Sequence, residues 1–260
     1  MRLSSVFMPF FTFVAGAAGF YIRLMELVNA FDEETGLPRR GADITNALIA
    51  VSIVFLLFIL IFSIRVAVKH KSENGFENAF GTYPVAIPIV FTLIGAIWIG
   101  ATVMYYMNLN VTGPIPATEL VFLILSAFSA ISVAFFAVEM FQDPQRKTKF
   151  TLSVVPSLFV CYWLIIIYRQ NAANPVLLSY CYQCLAVIAS ALGFYYTSGF
   201  VYGKLAPGKA VFCYFSAVYF SFVTLADKHA LSIKIIFAAL IAVNTIHASR
   251  LIKNLRWKED

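Results

Sequence analysis

The stretch Ile44–Ile64, ITNALIAVSIVFLLFILIFSI, runs for 21 residues without a charge and is closed by Arg65. A bilayer core about 30 Å thick is crossed by roughly 20 apolar residues of helix, each rising about 1.5 Å. In water a helix apolar on every face would have nothing to cover it. This run therefore places the chain in a membrane, and the remaining segments are read against that placement.

Similar runs recur along the 260 residues. Only 12% of the chain is charged, where a soluble domain carries about 25%. Too little polar surface is left for a water-soluble globule. The expected fold is all-α, a polytopic transmembrane bundle of about eight spans forming a single domain, 1–260. The spans read as Ser5–Leu27, Ile44–Ile64, Tyr83–Met107, Thr118–Phe141, Phe150–Tyr168, a sixth opened by Asn174-Pro175 and running to Tyr202, Ala210–Ala226 and Ala230–Leu251. Short connections make consecutive helices antiparallel neighbours. Arg2, Val6–Val14 and Ala15-Gly16-Ala17 imitate a signal peptide. The uncharged stretch continues to Ile22, so an uncleaved first helix is expected.

The net charge of +6 could suggest nucleic acid, but the basic residues are scattered through short loops and nucleic-acid binding is rejected. Arg2, Arg65, Lys69, Lys71, Arg146, Lys147, Lys149, Lys204, Lys209, Arg250, Lys253, Arg256 and Lys258 fall on one side of the expected topology. Arg23, Arg39, Arg40, Arg169, Lys228 and Lys234 fall on the other. Cytoplasmic loops carry the excess of Lys and Arg, so both termini are expected inside.

Ionisable residues within a membrane are costly and mark sites by default. Arg23 and Glu26, three apart, share a helix face near its outer end. The favoured reading is a pair snorkelling to the headgroups; the alternative is an ion-paired entrance to a site. No acid or base falls at the centre of a span, which counts against a proton pump. The sixth and seventh spans are rich in hydroxyls and amides. Tyr180, Gln183, Tyr195, Tyr196, Ser198, Tyr214 and Tyr219, with Asn244 on the eighth span, are the candidate cavity or ligand-lining residues. Such groups avoid lipid and face other helices or a cavity, with interhelical hydrogen bonding the simpler account. His247, three after Asn244, reads as a hydrogen-bonder close to the cytoplasmic surface. The patch Ala15–Gly19 reads as a site of close internal helix packing.

Cys181 and Cys184 form a CxxC pair that could cycle between dithiol and disulfide. Counted from Pro175, they lie roughly 9–14 Å into the sixth span. No Lys, Arg or His stands within a turn to activate a thiol, and small apolar packing is the simpler account. No paired-His spacing supports a metal site, and no cofactor is implied. The acidic loop Asp32–Gly36 lacks the ligands of a calcium loop. Neither a phosphate-binding Gly-rich loop nor a GxSxG elbow occurs.

The segments FYIRLMELVNAFDEETGLPRRG (residues 20–41) and NPVLLSYCYQCLAVIASALGFYYTSGFVYG (174–203) resemble uncharacterised multi-pass membrane proteins of anaerobic Gram-positive bacteria of the clostridial kind. The resemblance implies a bacterial plasma membrane and carries over no catalytic residue. The lipid bilayer is thus one expected partner and a small-molecule solute another. The expected function is small-solute transport or binding within the bundle. A non-catalytic structural or accessory subunit is the alternative, and thiol redox chemistry at Cys181 and Cys184 a second.

Overall fold

The computed structural model describes residues 4–32, 37–39, 41–71, 76–81, 86–112, 114–141, 151–174 and 176–257. The acidic segment 33–36, Pro84 and the basic loop 142–150 lie outside them. The long helices are α1 (Ser4–Asn29), α2 (Asp43–Lys69), α4 (Ala86–Thr112), α5 (Ala117–Phe141), α6 (Val155–Asn171), α7 (Cys181–Val201), α8 (Pro207–Thr224) and α9 (Leu231–Asn254); a short α3 (Phe76–Phe80) lies between α2 and α4. Seven of the described helices, all the long ones except α8, are long and apolar enough to cross a membrane. The protein is a multi-pass membrane protein.

The outer helices present apolar side chains outward, as a lipid-facing surface requires. Val54 is 67% exposed, and Leu57 and Ile61 accompany it on the same face of α2. Helix α8 is different. Its 18 residues include Lys209 and a series of hydroxyls, so its hydropathy is modest. Nearly all of it is buried, packed against α1, α2, α7 and α9. A helix surrounded by protein can carry hydroxyls that lipid would penalise.

Glycines set the closest approaches. A Cβ on Gly16 would lie 2.7 Å from the Phe222 ring, and one on Gly19 2.9 Å from Val223, so the small-residue patch of α1 packs internally on α8. A Cβ on Gly208 would meet Ser63 O at 2.6 Å, where α8 crosses α2.

The two chain ends meet. Ser249 Oγ donates to Ser5 O at 2.9 Å, joining the start of α1 to the last turns of α9. At the same end, strand β1 (His70–Lys71) pairs antiparallel with β2 (Arg256–Trp257), His70 opposite Trp257. Helix α3 tucks in beside them. Asn254 Nδ2 donates to Ala79 O and Gly81 O, both at 3.1 Å, and Ala79 and Phe80 are fully buried.

Several expected boundaries shift. Arg65 lies within α2, which continues to Lys69, and α4 extends through Thr112. Asn174-Pro175 does not open α7. Asn174 Oδ1 instead accepts from Val176 N at 2.9 Å, an Asx turn feeding a 3-10 turn at Leu177–Ser179. Helix α7 therefore starts at Cys181.

Candidate functional site

Three gatherings of polar groups hold the candidate residues. The first is the end of the bundle that carries the α8–α9 loop. Arg23 is fully buried there, as is Glu26. Arg23 Nη1 donates to Glu26 Oε2 at 2.7 Å and Nε to Asp227 Oδ1 at 2.8 Å. Nη2 reaches Leu178 O at 3.2 Å and Ser179 O at 3.4 Å, and the guanidinium lies 5.1 Å from the centre of the Tyr182 ring. The guanidinium thus ties α1, the turn before α7 and the α8–α9 loop together. The snorkelling expectation for Arg23 and Glu26 is corrected. The side chains do not reach toward headgroups, because Asp227 and two carbonyls already satisfy the guanidinium inside the protein.

Asp227 and His229 lie in the loop itself. Burial pushes the Asp227 carboxyl up, against the pull of Arg23. Burial, with the nearby charges of Lys234 and Arg23, pushes His229 down to about 4. An unfolded histidine titrates near 6.5. Stability contributed by the neutral His229 is thus present above about 6.5 and is lost as the pH falls toward 4, where only the unfolded chain has taken the proton. The melting temperature in detergent is expected to fall across this window more steeply for the wild-type chain than for His229→Asn. Parallel curves for the two would contradict that assignment.

The second place is the core around α8, between α2, α7 and α9. Thr197 Oγ1 donates to Gly193 O at 3.0 Å, so the Tyr214 hydroxyl 2.7 Å away is the donor to it. Ser52 likewise donates to Leu48 O at 2.8 Å and receives the Tyr219 hydroxyl at 2.9 Å. Tyr214 and Tyr219 are therefore interhelical struts. Gln183 is buried at 7% exposure, and Tyr180, half-buried, precedes the first residue of α7.

Asn244 is fully buried, its Nδ2 donating to Leu240 O at 2.8 Å while Oδ1 has no partner among the described residues. His247 lies one turn further along α9. It too is fully buried, with the rings of Phe80, Phe91, Phe136, Phe194 and Tyr214 centred 5.2–6.5 Å away. Helix α3, which supplies Phe80, is what covers it.

The third place is a cavity of about 440 Å³ at the opposite end of α7 from Arg23. It lies between the start of α6, the last turns of α7 and the 202–206 turn. Ser157, Tyr195, Tyr196, Ser198, Tyr202 and Lys204 supply its polar wall, and Val154, Leu205 and Ala206 much of the rest. The turn that closes it needs Gly203, at φ +75°, and is held by Lys204 N donating to Gly199 O at 2.8 Å. The Ser198 hydroxyl sits 2.7 Å from Ser153 O and 3.0 Å from Phe194 O, and Ser157 Oγ donates to Ala191 O at 3.2 Å.

Three of the sequence candidates, Tyr195, Tyr196 and Ser198, thus come together at this cavity. Ser157, Tyr202 and Lys204 complete it and were missed. Lys204 was counted only as a loop charge, and Tyr202 stood at the end of its span. Asp227 was likewise missed as the partner of Arg23, since 204 positions separate them.

Cys181 and Cys184 are free thiols in the structure. Cys181 is the first residue of α7, so the pair lies at the end of that helix rather than 9–14 Å along it. Among the described residues no group of three or more His, Cys, Asp or Glu side chains could hold a metal ion. Comparison with protein-family models, with curated proteins and with solved structures finds no match for the chain.

Proposed function

We propose that the protein binds a small solute in the cavity at the Lys204 end of α7 and acts in its transport across the bilayer. The cavity carries this reading. Its volume, about 440 Å³, falls in the range of small-molecule sites, about 300–1,000 Å³. Its wall is largely apolar with a few hydroxyls and one ammonium, the mixture such sites use. Ala206→Leu, which places a larger side chain in the cavity, is expected to abolish ligand-induced stabilisation or co-purifying density while leaving the unliganded melting temperature nearly unchanged. A purified protein that retains no molecule, and responds to no solute in a thermal-shift screen, would remove the reading.

A topology of eight crossings with both termini cytoplasmic, in a bacterial plasma membrane, belongs to the same proposal. The contact of Ser249 with Ser5 supports an even number of crossings, so α8 counts as one despite its modest hydropathy. The basic residues around α3, the 202–206 turn and the tail favour the cytoplasm for that end. Cysteines introduced at Lys204 and Lys228 should be labelled by an impermeant maleimide from opposite sides of the membrane, Lys204 from the cytoplasm. Labelling of both from one side would contradict it.

A structural or accessory role is the second reading. Tyr214, Tyr219 and Arg23 favour it, because their polar groups are spent on holding helices together. The Ala206→Leu comparison separates the two.

A further inference from the structure

We propose that the ligand of the Lys204 cavity is an amphiphile with an anionic, phosphate-type head, an inference that rests on the solute-binding reading above. The argument begins with protons. Ser157 and Ser198 already direct theirs at backbone carbonyls. The protons left to offer a ligand are those of the Lys204 ammonium and the phenols of Tyr195, Tyr196 and Tyr202. None of the described lining residues is acidic, and Lys204 has no carboxylate partner among the described residues. A site furnished with donors, one of them cationic, and with no acid selects an oxyanion and repels an ammonium.

The donors stand at the rim. Tyr195 is 57% and Tyr202 51% exposed, and Lys204 is exposed beside them. Val154, Leu205 and Ala206 add apolar wall to the cavity. Tyrosine and lysine at a helix end mark the headgroup level of a bilayer. From Tyr195 an exposed apolar stripe, Leu192, Ile188 and Leu185, runs along one face of α7 toward the bundle's other end. The ligand's head is held at the rim, and its chain follows apolar surface.

The test uses the full-length purified protein and four soluble probes: decyl phosphate, decanol, decyltrimethylammonium and inorganic phosphate. Decyl phosphate should bind at least about tenfold more tightly than the other three. Lys204→Met should remove that preference and Lys204→Arg restore it. Ala206→Leu should weaken decyl phosphate.

Equal binding of decanol or decyltrimethylammonium would overturn the anionic head while leaving a solute site intact. Inorganic phosphate binding as tightly as decyl phosphate would overturn the amphiphile. Binding of no probe, by wild type or variant, would overturn this ligand class, and the broader solute screen then decides the reading beneath it. In nanodiscs of phosphatidylcholine with phosphatidate, preferential retention of phosphatidate assigns the head to a bilayer lipid. Retention of decyl phosphate alone assigns it to a soluble ester. Either supports the class.

Discussion

Replacing Arg23 by Met is expected to cost about 3–5 kcal/mol, among the largest losses available to a single side chain here. The substitution keeps much of the volume and removes the group that bridges Glu26 and Asp227. Two buried carboxyl groups would then face each other's field without the guanidinium, and the carbonyls of Leu178 and Ser179 would lose its Nη2 donor. The value of the cluster lies in its balance rather than in the strength of any one pair. Arg23→Met combined with Glu26→Gln and Asp227→Asn should therefore recover much of the loss. Melting curves in detergent for the single and triple variants measure this. A single variant within 1 °C of wild type would show that Arg23 is not the clasp its geometry describes.

The second large effect is expected at Gly95. A Cβ there would stand 2.8 Å from Ala130 O and 2.9 Å from Ala134 Cβ, both part of the neighbouring helix α5. Backbone oxygen cannot swing aside as the tip of a side chain can. Gly95→Ala should push α4 and α5 apart and cost about 1–3 kcal/mol. Five residues further along α4, a Cβ on Gly100 meets nothing within 4 Å. Gly100→Ala is expected to be neutral or slightly stabilising, since alanine favours helix over glycine. Equal melting temperatures for the two variants would mean that the α4–α5 approach is looser than described.

Much of the architecture was legible because the bilayer imposes one rule on every span: a length of apolar residues, then a charge or a turn. Boundaries were less legible, because loop chemistry competes with helix. Asn174-Pro175 reads as a helix start, but the Asn174 side chain spends its carbonyl on the Val176 amide and delays the helix to Cys181. Helix α3 gave no signal, since five residues are too few to display a period.

The polar residues show a deeper limit. Tyr195 and Tyr214 look alike in sequence, each a tyrosine in an apolar helix. One lines a cavity and the other binds Thr197, and only the arrangement of α7 against α8 distinguishes them. Arg23 poses the same problem. Its neighbour Glu26 was visible, while Asp227 enters from a loop on the far side of seven intervening helices in the chain.

The burial of α8 bears on how the chain is made. A segment with a lysine in its first turn and hydroxyls along its length gains less from entering hydrocarbon than the more apolar α2 does. Its partners are α7 before it, α9 after it, and α1 and α2, which also precede it in the chain. Helix α8 is therefore expected to settle against protein already in the membrane. During biogenesis its retention becomes a cooperative event: the preceding helices provide the receptacle, and α9, which follows, closes it.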